Sequence, residues 1–159
     1  MRATKREPSR PRIEGGALYS ASTIDPNTIQ AYRETEYRVL GDSLVVLHVD
    51  EANPALLALH HRQNVSSSAF ITACNPYSQV FDAHSNANRQ AALAEELRGR
   101  QLHFLPGVGQ HPSNQWPGED SFLVFGLSLE DSEVLAHRLE QNGFVWSGPD
   151  ALPQLILLK

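Results

Sequence analysis

The middle of the chain constrains the fold most, because a helical segment there stands between two β-rich segments. Residues 68–74, SAFITAC, form a nearly continuous apolar run of strand length, which is typical of a buried strand. Residues 85–98 carry an apolar helical stripe, and residues 101–105 return to a β pattern. This order predicts a βαβ unit whose strands run parallel, so that both C-terminal ends lie on one edge of a sheet.

Four helix starts are indicated by a capping side chain that precedes an apolar stripe. In two of them a proline occupies the first helical position, as helix starts prefer. The predicted caps are Asp25, Asn53, Ser85 or Asn86, and Ser128. The last two helices are expected to end at Gly99 and Gly143, since glycine accepts the backbone conformation that often follows a helix.

The remaining strands are indicated by short apolar runs separated by turn residues. Two β-rich runs flank Gly41-Asp42 and predict a hairpin. Residues 121–126 form another buried run, and residues 107–120 between the strands are predicted to be a long polar loop. With two C-terminal strands added, the pattern predicts a single α+β domain in which a mixed sheet packs against helices.

The composition fits one globular domain with an extension. The chain has 159 residues, of which 41% are hydrophobic and 19% charged, so a core can form. Residues 1–16 hold five basic and two acidic residues, a net +3, which leaves −8 for the rest of a chain whose total is −5. We expect residues 1–24 to be a disordered basic leader and residues 25–159 to be the domain. An acidic body makes nucleic acid an unlikely partner.

The cysteine content and the lengths of the apolar segments indicate the cellular compartment of the protein. A single Cys74 rules out an intramolecular disulfide and fits a reducing compartment. No apolar run approaches the length of a membrane span, and residues 1–20 lack the apolar stretch of a signal peptide. We therefore expect a cytoplasmic protein without membrane contact.

The predicted topology places polar side chains from distant segments on one sheet edge. If residues 101–105 pair antiparallel with 121–126, four segments meet there: 75–79, 107–116, 119–121 and 141–142. The helix start near residues 86–89 lies close, and its free N–H groups favour an anion or a carbonyl oxygen. The candidate ligand-binding residues are Asn75, Ser78, Asn88, Arg89, Trp116, Glu119, Ser121, Gln141 and Asn142.

Each candidate also has a structural interpretation. Asn75-Pro76 forms a turn by itself, since Asn bonds locally and Pro fixes φ. Glu119 can accept backbone N–H groups and hold the long loop, or act as a general acid or base if its pKa is raised. Three functions follow: a binding module for a polar small molecule or nucleotide, an enzyme using Glu119, or a protein-interaction module of the inhibitor or immunity type.

The sequence does not contain the common motifs of metal sites, catalytic nucleophiles or phosphate-binding loops. There are seven histidines, but neither HExxH nor a CxxC pair occurs, so no metal site is predicted. No GxSxG elbow is present, and Cys74 has no local histidine partner. The GVGQHP segment matches neither phosphate-loop pattern, and no cofactor is indicated.

Four segments resemble one bacterial protein family. FITACNPYS, NRQAALAEEL, LPGVGQHPSNQWPGEDSFLVFGLS and LAHRLEQNGFVW are similar to the family known as domain of unknown function 3293, over about residues 29–158. The matching positions are Asn75, Pro76, Ser78, Asn88, Arg89, Gly107, Trp116, Glu119, Ser121, Gln141 and Asn142. Cys74 stands where the family often has a large residue, which speaks against a catalytic cysteine. The resemblance implies a bacterial protein but no activity, cofactor or catalytic residue.

Overall fold

A computed structural model describes residues 21–159, which contain four α-helices and seven β-strands. The helices are α1 (Pro26–Glu34), α2 (Pro54–Gln63), α3 (Ala83–Gly99) and α4 (Leu129–Arg138). The strands are β1 (Glu36–Leu40), β2 (Leu44–Leu47), β3 (Ser68–Ile71), β4 (Phe104–Gln110), β5 (Glu119–Phe125), β6 (Gly143–Ser147) and β7 (Gln154–Leu157). The predicted leader lies mostly in residues 1–20, outside the described residues, so the division at residue 24 stays a prediction.

Three of the predicted helix caps are confirmed. Asp25, Asn53 and Ser128 each accept a backbone N–H of the first helical turn, at 2.8–3.0 Å. Each bond satisfies a donor that has no partner within the helix, and such caps contribute about 1 kcal/mol each. These three helix starts are therefore determined locally.

The predicted boundaries of α3 and α4 need correction. Asp82 caps α3, in place of Ser85 or Asn86, and its carboxylate accepts the Ser85 N–H at 2.7 Å. A carboxylate at this end is favoured by the helix dipole, so the helix begins one turn earlier than predicted. The Asn86 N–H donates to the Asp82 carbonyl and is not free for a ligand. At the other boundary α4 ends at Arg138, and Gly143 begins β6.

The seven strands form one sheet in the order β2-β1-β4-β5-β3-β6-β7, and every neighbouring pair is antiparallel. Since β5 pairs antiparallel with both β3 and β4, those two strands run parallel, with β5 between them. The β3-α3-β4 connection is thus a βαβ unit that β5 has split. The predicted α+β class is confirmed, as is the antiparallel pairing of β4 with β5. The sheet that was expected to be mixed is antiparallel throughout the described residues, because β5 separates the two parallel strands.

Strand β4 is longer than the sequence indicated. It continues through Gly107 to Gln110, so the predicted loop shrinks to residues 111–118. Gly107 is needed because a Cβ there would lie 2.7 Å from the Arg38 carbonyl oxygen and 2.7 Å from the ring of Phe70. The glycines in this segment indicated a loop, but at Gly107 the reason for glycine is close packing inside the sheet.

The core occupies both faces of the sheet. Phe70 and Leu123 pack on the face covered by α1 and α2, whereas their neighbours Ile71 and Val124 pack with Leu93 and Leu135 of α3 and α4. This alternation follows from the two-residue period of a strand. Each fully buried Leu, Ile or Phe stabilises the fold by about 1.5–3 kcal/mol. Within residues 21–159 no helix is long and apolar enough to cross a membrane.

Candidate functional site

The end of β3 and the start of β5 lie side by side. Ile71 pairs with Phe122, so the chain that leaves β3 runs past residues 119–121. The Thr72 hydroxyl donates to the Asp120 carbonyl at 2.6 Å and accepts the Cys74 N–H at 3.0 Å. These bonds direct residues 72–75 toward the first residue of β5, Glu119.

Asn75 is held by a pair of reciprocal amide bonds from α3. Its backbone is left-handed, with φ 47°, a conformation that Asn tolerates better than most residues. The Asn75 N–H donates to Asn86 Oδ1 at 2.9 Å, and Asn86 Nδ2 donates to Asn75 Oδ1 at 2.8 Å. Asn75 Oδ1 also accepts the Phe81 N–H at 2.9 Å. With both its backbone and side-chain oxygen fixed, Asn75 directs its Nδ2 group to one place.

That place is the carboxylate of Glu119. Asn75 Nδ2 donates to Glu119 Oε2 at 2.9 Å, and we refer to these two residues as the Asn75–Glu119 pair. Glu119 is partly buried, and burial raises the pKa of its carboxyl, an effect that the Asn75 bond partly opposes. Among residues 21–159 the other oxygen, Oε1, has no hydrogen-bond partner. The pair therefore presents one open carboxylate oxygen beside an amide N–H₂ group.

Residues 75–81, the 75–81 loop, have an unusual backbone conformation. Tyr77 and Ser78 have φ of 54° and 60°, a region that costs non-glycine residues free energy. The Tyr77 N–H donates to the Glu140 carbonyl at 2.6 Å, and the Ser78 hydroxyl bonds to that of Tyr32. Asn142 Nδ2 donates to Ser78 Oγ at 3.3 Å. Ser78 and Asn142 thus come together as expected, and their bonds hold the loop.

Arg89 and Gln141 connect the end of β3 to the end of α4. The Arg89 guanidinium donates to the carbonyl oxygens of Ala73 at 2.6 Å and Leu139 at 2.9 Å. It also lies 3.7 Å from the Glu140 carboxylate. Gln141 is buried and donates to the Cys74 carbonyl at 3.0 Å. Both residues lie at the predicted edge, where the Arg89 guanidinium and the Gln141 Nε2 group donate to backbone carbonyl oxygens.

The other candidates lie farther from the pair or are occupied. Ser121 is buried and its hydroxyl donates to the Glu119 carbonyl at 3.1 Å. Asn88 is exposed on α3 and bonds to His84, so it does not join the pair. Trp116 is half exposed in the β4–β5 connection, where its ring meets His111 edge-on at 4.7 Å.

Two residues of α3 that were not among the candidates are part of the arrangement. Asn86 fixes Asn75, and Gln90, one turn later on the same helix face, accepts the Ala73 N–H through Oε1 at 3.0 Å. Gln90 is buried, and its Nε2 has no partner in the described part of the chain. The sequence feature that could have identified these two residues is their Asn-x-x-x-Gln spacing, which places two amide side chains on one face of a predicted helix.

Cys74 does not have the surroundings of a nucleophile. The thiol is buried, and burial raises its pKa, whereas a reactive cysteine needs a lowered one. Its Sγ lies 3.6 Å from the Asp120 carbonyl oxygen, which also disfavours a thiolate. The described residues contain no group of three or more His, Cys, Asp or Glu side chains placed to hold a metal.

Comparison with protein-family models matched the middle of the chain. Residues 71–143 match the family described as "Protein of unknown function (DUF3293)". The predicted resemblance to DUF3293 is confirmed, over a shorter span than the predicted residues 29–158. The segment that matches DUF3293 runs from the last residue of β3 to the first of β6 and includes both members of the Asn75–Glu119 pair.

A second comparison found an enzyme of known name. The chain is 24% identical over 145 residues to a histidinol-phosphate aminotransferase of Geobacillus thermodenitrificans (strain NG80-2). That alignment covers 83% of this chain, and the chain spans only 38% of the length of that relative. No solved structure gave a significant match.

Proposed function

We propose that this domain binds a polar small molecule and that the Asn75–Glu119 pair is the centre of its site. The observation that carries the proposal is the 2.9 Å bond from Asn75 Nδ2 to Glu119, which leaves the other carboxylate oxygen open in the described residues. A carboxyl that is desolvated enough to have a raised pKa gains from a ligand that hydrogen-bonds to it. Sites for small molecules typically use a few such fixed polar groups.

The proposal is tested by a thermal-shift screen of polar metabolites against the parent and the Glu119→Gln variant. Gln is close to Glu in size and keeps an acceptor for Asn75, so the fold is expected to persist. A ligand that raises the melting temperature of the parent is expected to have little effect on Glu119→Gln, since stabilisation follows affinity. The matched control is Asp120→Asn, a neighbouring exposed carboxylate. Equal shifts in parent and Glu119→Gln would place the site elsewhere.

An enzyme with Glu119 as acid or base is the second candidate, favoured by the direction of its pKa shift. General acid–base catalysis works best when the pKa of the group lies near the working pH, about 6–7 for a tuned Glu. Carboxyl ¹³C NMR titration of the folded protein measures this pKa directly. A value near 6 or above supports a catalytic role, and a value below about 5 leaves binding as the function.

Two further expectations stay predictions. We propose a cytoplasmic, bacterial setting because the single cysteine is a free thiol and DUF3293 is the family matched. Cell fractionation of the native host tests the location.

A protein-interaction role would be supported by pull-down of one stoichiometric basic partner, and a monomeric protein with an identified small-molecule ligand would contradict it.

A further inference from the structure

The polar groups at the Asn75–Glu119 pair restrict the class of ligand, if the proposed site is correct. The Arg89 guanidinium and the N-terminus of α3 would suit a phosphate or carboxylate, but both are occupied by protein groups. Arg89 is bonded to two backbone carbonyl oxygens and lies beside Glu140. The N-terminus of α3 is capped by the carboxylate of Asp82. Neither the Arg89 guanidinium nor this helix N-terminus is free to balance the charge of an anion beside Glu119, so anionic ligands are disfavoured.

A purely cationic donor group fits only half of the pair. An ammonium or guanidinium carries donors and no acceptor. It would bond to Glu119 Oε1 but would direct donors at Asn75 Nδ2, which is itself a donor. Asn75 Nδ2 carries two protons, and its bond to Glu119 uses one of them. The second proton has no acceptor among the described residues, and a cation would leave it unpaired.

A neutral group with a donor next to an acceptor satisfies both members of the pair. Its N–H would donate to Glu119 Oε1, and its carbonyl or ring nitrogen would accept from Asn75 Nδ2. Flat groups of this kind also gain from nearby aromatic surface. Phe81 of the 75–81 loop is 39% exposed, and its backbone is bonded to Asn75 itself. The ring of Tyr77 does not contribute to this surface, because the Lys159 ammonium lies over it, 3.9 Å from the ring centre.

We propose that the Asn75–Glu119 pair recognises a neutral planar edge with adjacent donor and acceptor, as found in a carboxamide or on the amino-bearing edge of a nucleobase. This assignment rests on the proposed binding function and adds the ligand class to it. It also defines the protonation state that binds: Glu119 must be ionised, because a proton on Oε1 would turn the acceptor into a donor. Binding is therefore expected above the pKa of Glu119 and is lost as the pH falls through it.

The test uses NMR titration of the full-length, isotope-labelled protein with small probes. The Asn75 side-chain amide and the Glu119 carboxyl resonances are followed at pH 8. Acetamide, nicotinamide and adenine represent the proposed class. Acetate, inorganic phosphate, methylammonium and guanidinium represent the anionic and cationic classes. We expect nicotinamide and adenine to shift both resonances, and Glu119→Gln to weaken their binding about tenfold or more. The control Asn88→Ala, on the exposed face of α3, is expected to leave affinity unchanged.

The outcomes separate the ligand class from the binding function. If phosphate, acetate or a cation shifts these resonances more strongly than the amides do, and Glu119→Gln weakens that binding, the class is wrong and the site is right. If the amides bind but Glu119→Gln binds them equally well, the donor–acceptor assignment is overturned. The highest probe concentration is roughly 50 mM, which is about the weakest dissociation constant expected for such fragments. If no probe shifts either resonance at that concentration, both proposals fail.

Discussion

At the scale of single residues, the buried carboxylate of Glu119 is expected to lower the stability of the fold when it is ionised. Burial raises the pKa of its carboxyl above the ordinary value of 4.5, so the folded chain binds protons more readily than the unfolded chain. The resulting contribution to stability is full below pH 4.5 and is lost as the pH rises through the folded pKa. Groups that cost stability in this way are typical of binding and catalytic sites.

Replacing Glu119 by Gln is therefore expected to stabilise the protein at alkaline pH. At pH 8 the variant removes a desolvated charge and keeps an acceptor for Asn75, which predicts a gain on the order of 1 kcal/mol in the free energy of unfolding. At pH 4 the two proteins should be nearly equal, because Glu119 is then neutral. Urea unfolding at the two pH values measures this. A variant less stable than the parent at pH 8 would show that the ionised carboxylate is well solvated.

Asn86 acts on Glu119 through Asn75. Its amide makes both reciprocal bonds to Asn75, at 2.9 and 2.8 Å. Asn86→Ala therefore leaves the Asn75 N–H without its partner and removes one of the two donors to Asn75 Oδ1, which keeps its bond to the Phe81 N–H. We expect a loss of about 1–3 kcal/mol in the free energy of unfolding. We also expect the pKa of Glu119 to rise further, because the Asn75 bond that lowers it would weaken. Urea unfolding and carboxyl ¹³C titration test both effects. Asn88→Ala, two residues along α3, should change neither.

The sequence predicted part of this site for a topological reason. Asn75 follows β3 and Glu119 begins β5, and strand order alone brings those positions to one edge. The role of Asn86 depends on where α3 begins, because a helix that starts at Ala83 turns Asn86 and Gln90 toward β3. That start is determined by Asp82, whose capping role was not recognised. Predicting which side chains bond to Asn75 therefore required the exact start of α3, and local sequence patterns do not define helix ends that accurately.

At the scale of elements, Gly107 shows how tertiary packing overrides a local turn signal. A Cβ at this position would collide with backbone of β1 and with the Phe70 ring of β3, so Gly107→Ala must move a strand or a core side chain. We expect a loss of roughly 1–3 kcal/mol. The matched control is Gly99→Ala at the end of α3, where nothing lies within 4 Å of the added methyl. There the change should be neutral or stabilising by up to about 1 kcal/mol.

Thermal or urea unfolding of the two glycine variants decides between the two interpretations of the GVG segment. Equal stability of Gly107→Ala and the parent would mean that residues 107–110 are a loop in solution. Three of the four helix caps and the Gly41-Asp42 hairpin were predictable because their signals are local. The extent of β4 was not, because it depends on contacts with β1 and β5 that local sequence does not encode.

At the scale of the whole molecule, the split βαβ unit explains why the site lies where it does. Inserting β5 between β3 and β4 brings the start of β5 to the edge where both parallel strands end. The apolar pattern predicted a sheet covered by helices. It did not determine that β3 lies between β5 and β6, because several buried strands of similar composition compete for each position. The same central placement buries polar groups of β3 against α2.

The buried His60–Ser68 contact predicts how the whole fold responds to acid. His60 of α2 is 1% exposed, and its Nε2 lies 2.8 Å from Ser68 Oγ. Burial, with a smaller contribution from the neighbouring His61, lowers the pKa of His60 below its ordinary value of 6.5. The unfolded chain therefore binds the proton first. The stability that neutral His60 supports is full above pH 6.5 and is lost as the pH falls toward the folded pKa.

We expect the free energy of unfolding to fall by on the order of 1–2 kcal/mol between pH 7.5 and 5 through this residue. His60→Gln offers an amide to Ser68 and does not titrate, so it should be less stable at pH 7.5 but should lose less on acidification. The exposed neighbour provides the control, since His61→Gln should keep most of the parent's pH dependence. Urea unfolding at several pH values measures all three proteins. Parallel curves for parent and His60→Gln would show that another group, and not His60, determines the acid sensitivity of the fold.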